Sequence, residues 1–205
     1  MTKQPEEGEI WEWRAFGPLT RELDATVHAY PIRMSLINIE GRDIYFIAPE
    51  SDQNIKLRKY NDHWLLKFKL LLEGSSGEAE LYNESAAYTY SFPVDHETLK
   101  TTSGLLRVKL NHPQTGPPLS ADEFSDALAN ASPPVVRAEV QKKRSQFEFD
   151  GGWIELAEVW FAKQHTNSIS IHSPNREVVD LMRRRLPMGE GWKVLNYVEA
   201  CRRWA

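Results

Sequence analysis

The 205-residue chain has a single cysteine, Cys201, so no disulfide can form within it, and a reducing compartment is its simplest setting. It has no apolar run approaching the about 18–20 residues that a membrane helix needs. Its opening residues, Met1 to Glu7, carry no apolar signal core, so a soluble cytoplasmic protein without a membrane partner is expected. Positive charge is not in excess: the net charge of −4 argues against a general nucleic-acid binder. Arg183, Arg184 and Arg185 read as a solvated helix face, and the tryptophans do not interleave with basic residues as base-stacking platforms do. The histidines lack zinc-site spacing; His96-Glu97 has no second histidine to complete HExxH. There is no G-x-S-x-G elbow and no glycine-rich phosphate loop, Gly151-Gly152 reading as a hairpin turn. Cys201 falls on the apolar side of a helix pattern and reads as core rather than nucleophile.

What is present is an ordinary globular composition, 41% hydrophobic and 26% charged, with no repeat or linker, which predicts one domain over residues 1–205. Strands are expected over Glu9–Phe16, Met34–Glu40, Ile44–Ile47, Asn54–Arg58, Leu65–Lys69, Glu78–Tyr90, Leu105–Leu110, Val135–Phe149, Trp153–Phe161 and Asn167–His172, with a turn at Gly41-Arg42. Leu19–Tyr30 is ambiguous, with a short helix opening at Thr20 as one reading. The capping box Ser120-Ala121-Asp122-Glu123 predicts a helix over Ala121–Asn130. Ser173-Pro174 reads as an N-cap and N1 proline for a helix to Leu186, and a last helix starts near Gly191. Many antiparallel strands with a few flanking helices, including a C-terminal pair, give an α+β protein whose sheet is closed or nearly so.

The most distinctive pattern is a set of basic pairs at strand spacing: Lys56/Arg58, Lys67/Lys69, Arg107/Lys109 and Lys142/Arg144. Successive strand side chains point to opposite faces, so each pair shares one face while Ile55 and Leu57, Leu66 and Phe68, or Leu106 and Val108 share the other. Alternation alone leaves two placements open, a solvated outer face or the inside of a barrel. A solvated face mixes signs. Here the counter-charges Glu12, Glu78, Glu80, Glu84, Glu139 and Glu155 sit on other strands. Inside a barrel such cations would converge on a polyanion, which would offset their burial. Pairing across Gly74–Gly77 would set Glu80, Tyr82 and Glu84 on the face of Lys67 and Lys69.

The succession of motifs resembles the CYTH, or triphosphate tunnel metalloenzyme, superfamily. Its acidic-x-acidic-x-basic opening strand is similar to Ile10-Trp11-Glu12-Trp13-Arg14, with Ile10 in place of the first acid. Tyr45-Phe46, Lys56-Leu57-Arg58 and Leu65-Leu66-Lys67 resemble its next three strands, and Glu78, Glu80 and Glu84 its acidic fourth. Val140-Gln141-Lys142-Lys143-Arg144, the return strand Trp153–Val159, Ser168–His172 and Asn196-Tyr197-Val198-Glu199 follow in the family's order. Ser170 and His172 stand where its late acidic pair falls.

The resemblance implies a tunnel-like antiparallel barrel of about eight strands. It implies a phosphate-containing small anion as partner, gripped by Arg14, Lys56, Arg58, Lys67, Lys69, Arg107, Lys142 and Arg144. It also implies Mg²⁺ or Mn²⁺ on carboxylates, for which Glu12, Glu80, Glu84 and Glu155 are the candidates. The acid side departs from the pattern and the basic side keeps it. Two functions therefore stand open: binding of a tri- or polyphosphate anion with metal-dependent hydrolysis of it, or a non-catalytic anion-binding or protein-interaction module on the same fold.

Overall fold

A computed structural model describes residues 6–33, 39–75, 77–113 and 115–205. Its strands are β1 (Glu9–Gly17), β2 (Ile39–Ile47), β3 (Asn54–Tyr60), β4 (His63–Glu73), β5 (Glu80–Asn83), β6 (Thr89–Ser91), β7 (Val136–Phe149), β8 (Gly152–Trp160), β9 (His165–Ser173) and β10 (Lys193–Val194). The helices are α1 (Arg21–His28), α2 (His96–Leu106), α3 (Ala121–Ala129), α4 (Arg176–Arg185) and α5 (Tyr197–Trp204). Eight strands hydrogen-bond in the order β1-β5-β4-β3-β2-β7-β8-β9, and β9 pairs back onto β1, closing an antiparallel barrel. β6 lies against β4, and β10 against β1.

Both faces of most strands are covered, and the strict alternation of the sequence divides them. Trp11, Trp13, Ile154, Ile169 and Ile171 face outward beneath α1 and α4, with Leu23, Val27, Val179 and Met182 packed on them. Ile44, Phe46, Ile55, Leu57, Leu66 and Phe68 face outward beneath α2 and α3, against Leu99, Leu106, Phe124 and Leu128. The inner face changes along the barrel axis. At one end Phe16, Ile47, Ala138, Val140, Ala157 and Val159 form an apolar layer with Tyr197, Val198 and Cys201 of α5. That helix fills this end of the barrel, so the charged interior is reached from the other.

Most expected elements are present, including the α3 capping box, in which Ser120 and Glu123 bond each other's backbone N–H. Several expectations need correction. Leu105–Leu110 is not a strand: α2 runs to Leu106, and Arg107 takes the left-handed conformation (φ 57°) that ends it. Gly41-Arg42 is not a turn, because β7 provides ladder partners that keep the chain extended, Gly41 lying opposite Lys142. Glu78–Tyr90 is broken into β5, a 3₁₀ turn at Ala86–Tyr88, and β6. The α4 cap is Asn175, whose side chain accepts from Glu177 N, rather than Ser173. The last helix begins at Tyr197, after β10. Of the strand expected over Met34–Glu40, residues 34–38 lie outside the described residues. Among the described residues, no helix is long and apolar enough to cross a membrane.

Candidate functional site

The polar half of the barrel encloses a cavity of about 120 Å³, where a single water needs about 10–15 Å³. Seven of the eight expected phosphate-binding residues line it: Arg14, Lys56, Arg58, Lys67, Lys69, Lys142 and Arg144. Arg107 does not; it is exposed at the end of α2, outside the barrel, with its partner in the pattern, Lys109, also exposed. The other lining residues are Glu12, Glu84, Glu155, Asn54, Phe68, Gln146, Trp153, His172 and Tyr197.

The charges fall into two clusters. In the first, Asp43 of β2 is fully enclosed and carries three cations. Arg58 donates to it twice, at 2.9 and 2.9 Å, Lys142 donates at 2.7 Å, and Lys56 Nζ stands 3.9 Å away. Lys142 and Lys56 also donate to the Tyr45 hydroxyl, at 2.7 and 3.4 Å. One carboxylate cannot neutralise three cations. Burial lowers the Lys142 pKa, Asp43 recovers only part of this, and Arg58 lowers it further, leaving it at about 8. Lys56 is depressed well below the usual lysine range, by burial first and then by Arg58 against the pull of Asp43. Asp43 itself is driven well below the usual range, since Lys142, Arg58 and Lys56 outweigh its burial.

The second cluster mixes signs. Arg14 donates to Glu12 at 2.8 Å and to Ser168 at 3.0 Å, and lies 3.5 Å from Glu155. Arg144 and Gln146 donate to Glu155 at 2.9 and 3.2 Å. Burial would raise the Glu155 pKa, but Arg144 and Arg14 outweigh it and keep the group ionised. The ammonium of Lys69 sits on both Glu12 and Glu84, with the Tyr82 ring centroid 4.4 Å away. Burial opposes its charge, but Glu12 and Glu84 prevail and raise its pKa. The cavity floor is Tyr197, stacked on Tyr45 at 5.3 Å, with Arg14 4.5 Å and Lys142 3.9 Å from its ring centroid.

The four expected metal ligands do not converge. Glu80 lies opposite Glu12 in the ladder but accepts from Tyr82 at 2.7 Å and from Asn196 at 2.9 Å and does not line the cavity. Glu155 is spoken for by Arg14, Arg144 and Gln146. Glu12 and Glu84 do come together, joined by His172 instead of a carboxylate, and the three bring ligand atoms within 4.8 Å of one another. That spacing admits a metal ion. As the chain stands the group fits Mg²⁺ or Mn²⁺ poorly, however, since hard cations take oxygen ligands and both carboxylates here already hold the Lys69 ammonium.

Among the described residues that line the cavity, Asn54 Oδ1 and Trp153 Nε1 are buried without a hydrogen-bond partner, and His172 Nδ1 has Glu12 at 3.5 Å. Sequence reasoning missed Asp43, Tyr45, Asn54 and Trp153. Asp43 and Tyr45 share the inward parity of β2, which was the available signal.

No family model matches the chain, and no curated protein does. Solved structures do resemble it in fold. A candidate adenylyl cyclase from Hippeastrum, described as having a dominant triphosphatase activity, is 13% identical over 95% of each chain, with a TM-score of 0.49. A candidate adenylate cyclase from Bacillus halodurans is 11% identical over 87% of this chain and 88% of that one, with a TM-score of 0.48. A conserved protein of Pyrococcus furiosus is 16% identical over 92% and 98%, with a TM-score of 0.46. The closed eight-stranded barrel, its charged interior and the strand order agree with the succession of motifs in the sequence. The fold is a closed eight-stranded antiparallel barrel with a charged interior. In this barrel α5 stops one end, seven of the eight expected basic residues line the interior, and Glu12 and Glu84 meet around Lys69. Identities this low carry neither activity nor substrate across.

Proposed function

We propose that the tunnel cavity binds a phosphate-chain anion, such as tripolyphosphate or the triphosphate portion of a larger molecule. The observation that carries this reading is the Asp43 cluster, where three buried or half-buried cations share one carboxylate. Among the described residues of the interior, seven cations face five carboxylates, Asp43 and Glu80 included. Uncompensated charge in a desolvated site is costly, and a bound polyanion removes the cost. Arg58 and Arg144 suit bidentate contact with phosphate oxygens, while Lys56, Lys67 and Lys142 act as point charges. The Trp153 ring nitrogen and the Asn54 carbonyl, both without a partner among the described residues, supply polar contacts for the ligand and its waters.

The test is a thermal melt with tripolyphosphate in the presence of EDTA. At about a hundredfold excess over Kd, binding adds about 2.7 kcal/mol. For a chain of this size that raises Tm by about 5–10 °C. The double substitution Lys56→Ala/Arg58→Ala removes the shift. An unchanged Tm at millimolar tripolyphosphate would sink the reading.

A second reading, metal-assisted hydrolysis of the same phosphate chain, rests on the grouping of Glu12, Glu84 and His172 and needs a divalent ion to displace Lys69 from between the two acids. It requires phosphate release that depends on Mg²⁺ or Mn²⁺ and disappears in Lys56→Ala/Arg58→Ala. Binding without metal-dependent release leaves the anion-binding reading alone.

A further inference from the structure

We infer that Lys69 takes the place of a divalent cation between Glu12 and Glu84, making this tunnel self-neutralised on its acid side. The inference goes beyond anion binding and does not rest on it. Three observations converge on the Lys69 ammonium. It contacts the carboxylates of Glu12 on β1 and Glu84 beyond the end of β5, the two acids whose spacing would otherwise admit a metal. Its third side faces the Tyr82 ring, 4.4 Å to the centroid, so the group is surrounded by negative charge and a π-face. Its backbone is fixed by the ladder, with Lys69 opposite Asn54 on β3 and Leu70 opposite Asn83 on β5.

The third potential ligand is arranged as a hydrogen-bonding group. His172 Nε2 lies 2.9 Å from the Ser170 hydroxyl, and its Nδ1 lies 3.5 Å from Glu12. The Glu12 carboxylate beside Nδ1 can only accept, which favours the tautomer with the proton on Nδ1 and Ser170 donating to Nε2; in that tautomer Nδ1 offers no lone pair to a metal. Glu12 has a further cation in Arg14, at 2.8 Å. A divalent ion entering here would have to displace an ammonium already held by two carboxylates. The chain therefore answers the charge of its own acids without borrowing an ion.

Removing the ammonium should create the metal site. Mn²⁺ would be titrated calorimetrically into the wild-type chain, Lys69→Met and Lys69→Met/Glu84→Gln, each in metal-free buffer near pH 7.5. Lys69→Met is expected to bind one Mn²⁺ at least about tenfold more tightly than wild type. It should also gain a Mn²⁺-dependent rise in Tm, and Lys69→Met/Glu84→Gln should lose both. Equal Mn²⁺ affinity in wild type and a folded Lys69→Met would overturn the inference.

Should Lys69→Met fail to fold, the wild-type titration decides. Saturable one-site Mn²⁺ binding in the micromolar range, abolished by Glu84→Gln, would overturn the inference, and its absence supports it. Tripolyphosphate melts of the wild type in EDTA run alongside. A missing tripolyphosphate shift with the Mn²⁺ gain intact counts against the anion reading only; the reverse result counts against Lys69 only.

Discussion

Asp43 shows how much one residue's meaning depends on where the chain folds around it. In sequence it is a lone acid before an apolar strand. In the barrel it is the one carboxylate, among the described residues, in ion-pair contact with Arg58, Lys142 and Lys56. Asp43→Asn should cost about 3–5 kcal/mol, because it leaves buried charges uncompensated. Urea denaturation at neutral pH measures it. The outer face of the same strands gives the contrast: Arg42 holds Glu139 at 2.8 Å, with both side chains well exposed, and Glu139→Gln should cost about 0–1 kcal/mol. Because the Asp43 pKa is depressed, its contribution is fully present above the unfolded value near 3.9 and is lost as pH falls toward the folded one. The basic residues were legible for the opposite reason. Lys56/Arg58, Lys67/Lys69 and Lys142/Arg144 repeat at period two on separate strands, and only a closed barrel points all of them the same way. Arg107/Lys109 shows the limit of that signal, since a helix end followed by a short bridge strand can mimic two residues of alternation.

At the scale of elements, long strands with apolar outer faces were readable because packing on both sides enforces their pattern. What the sequence concealed were short elements fixed by single side chains. α2 starts where Asp95 accepts from Thr98 N, a cap with no strongly periodic run behind it, as Thr102 and Ser103 take buried places beside Leu99 and Leu106. α5 is a similar case with greater consequence, because it stops the tunnel. Asn196 caps it through Glu199 N and at the same time donates to Glu80 at 2.9 Å, tying the plug to the barrel wall. Asn196→Ala removes a cap worth about 1 kcal/mol and a hydrogen bond to a charged group worth about 1.5–3 kcal/mol. A loss of about 2–4 kcal/mol in a denaturation experiment is expected from the two together. Loss of only the cap's share would mean that the Glu80 contact does not hold the plug. Cys201 belongs to this packed layer, where burial raises its thiol pKa to about 12, so it stays a protonated core residue.

For the molecule as a whole, the notable fact is that a chain of net charge −4 concentrates a cation surplus in its interior. The rest of the chain is therefore acidic on balance, and on the proposed reading a polyanion would gain its attraction inside the barrel. The surplus is maintained at a cost that shows as depressed lysine pKa values, by burial first, in Lys142, Lys56 and Lys67 alike. The sign of the pH dependence follows. Without an anion, Lys142 holds its proton less tightly folded (pKa about 8) than unfolded (10.5). Between those values the unfolded chain binds more protons, so this group makes the free protein more stable as pH rises through that window. A bound phosphate chain favours the charged ammonium and raises its pKa, so binding takes up protons above about pH 8. Affinity for tripolyphosphate should accordingly fall as pH rises from about 8 toward 10. Calorimetric titrations at pH 8.5, in two buffers of different ionisation enthalpy, would register the uptake as a buffer-dependent heat, and Lys142→Met would reduce it. A heat independent of buffer, with binding intact, would mean that the anion does not reach the Asp43 cluster.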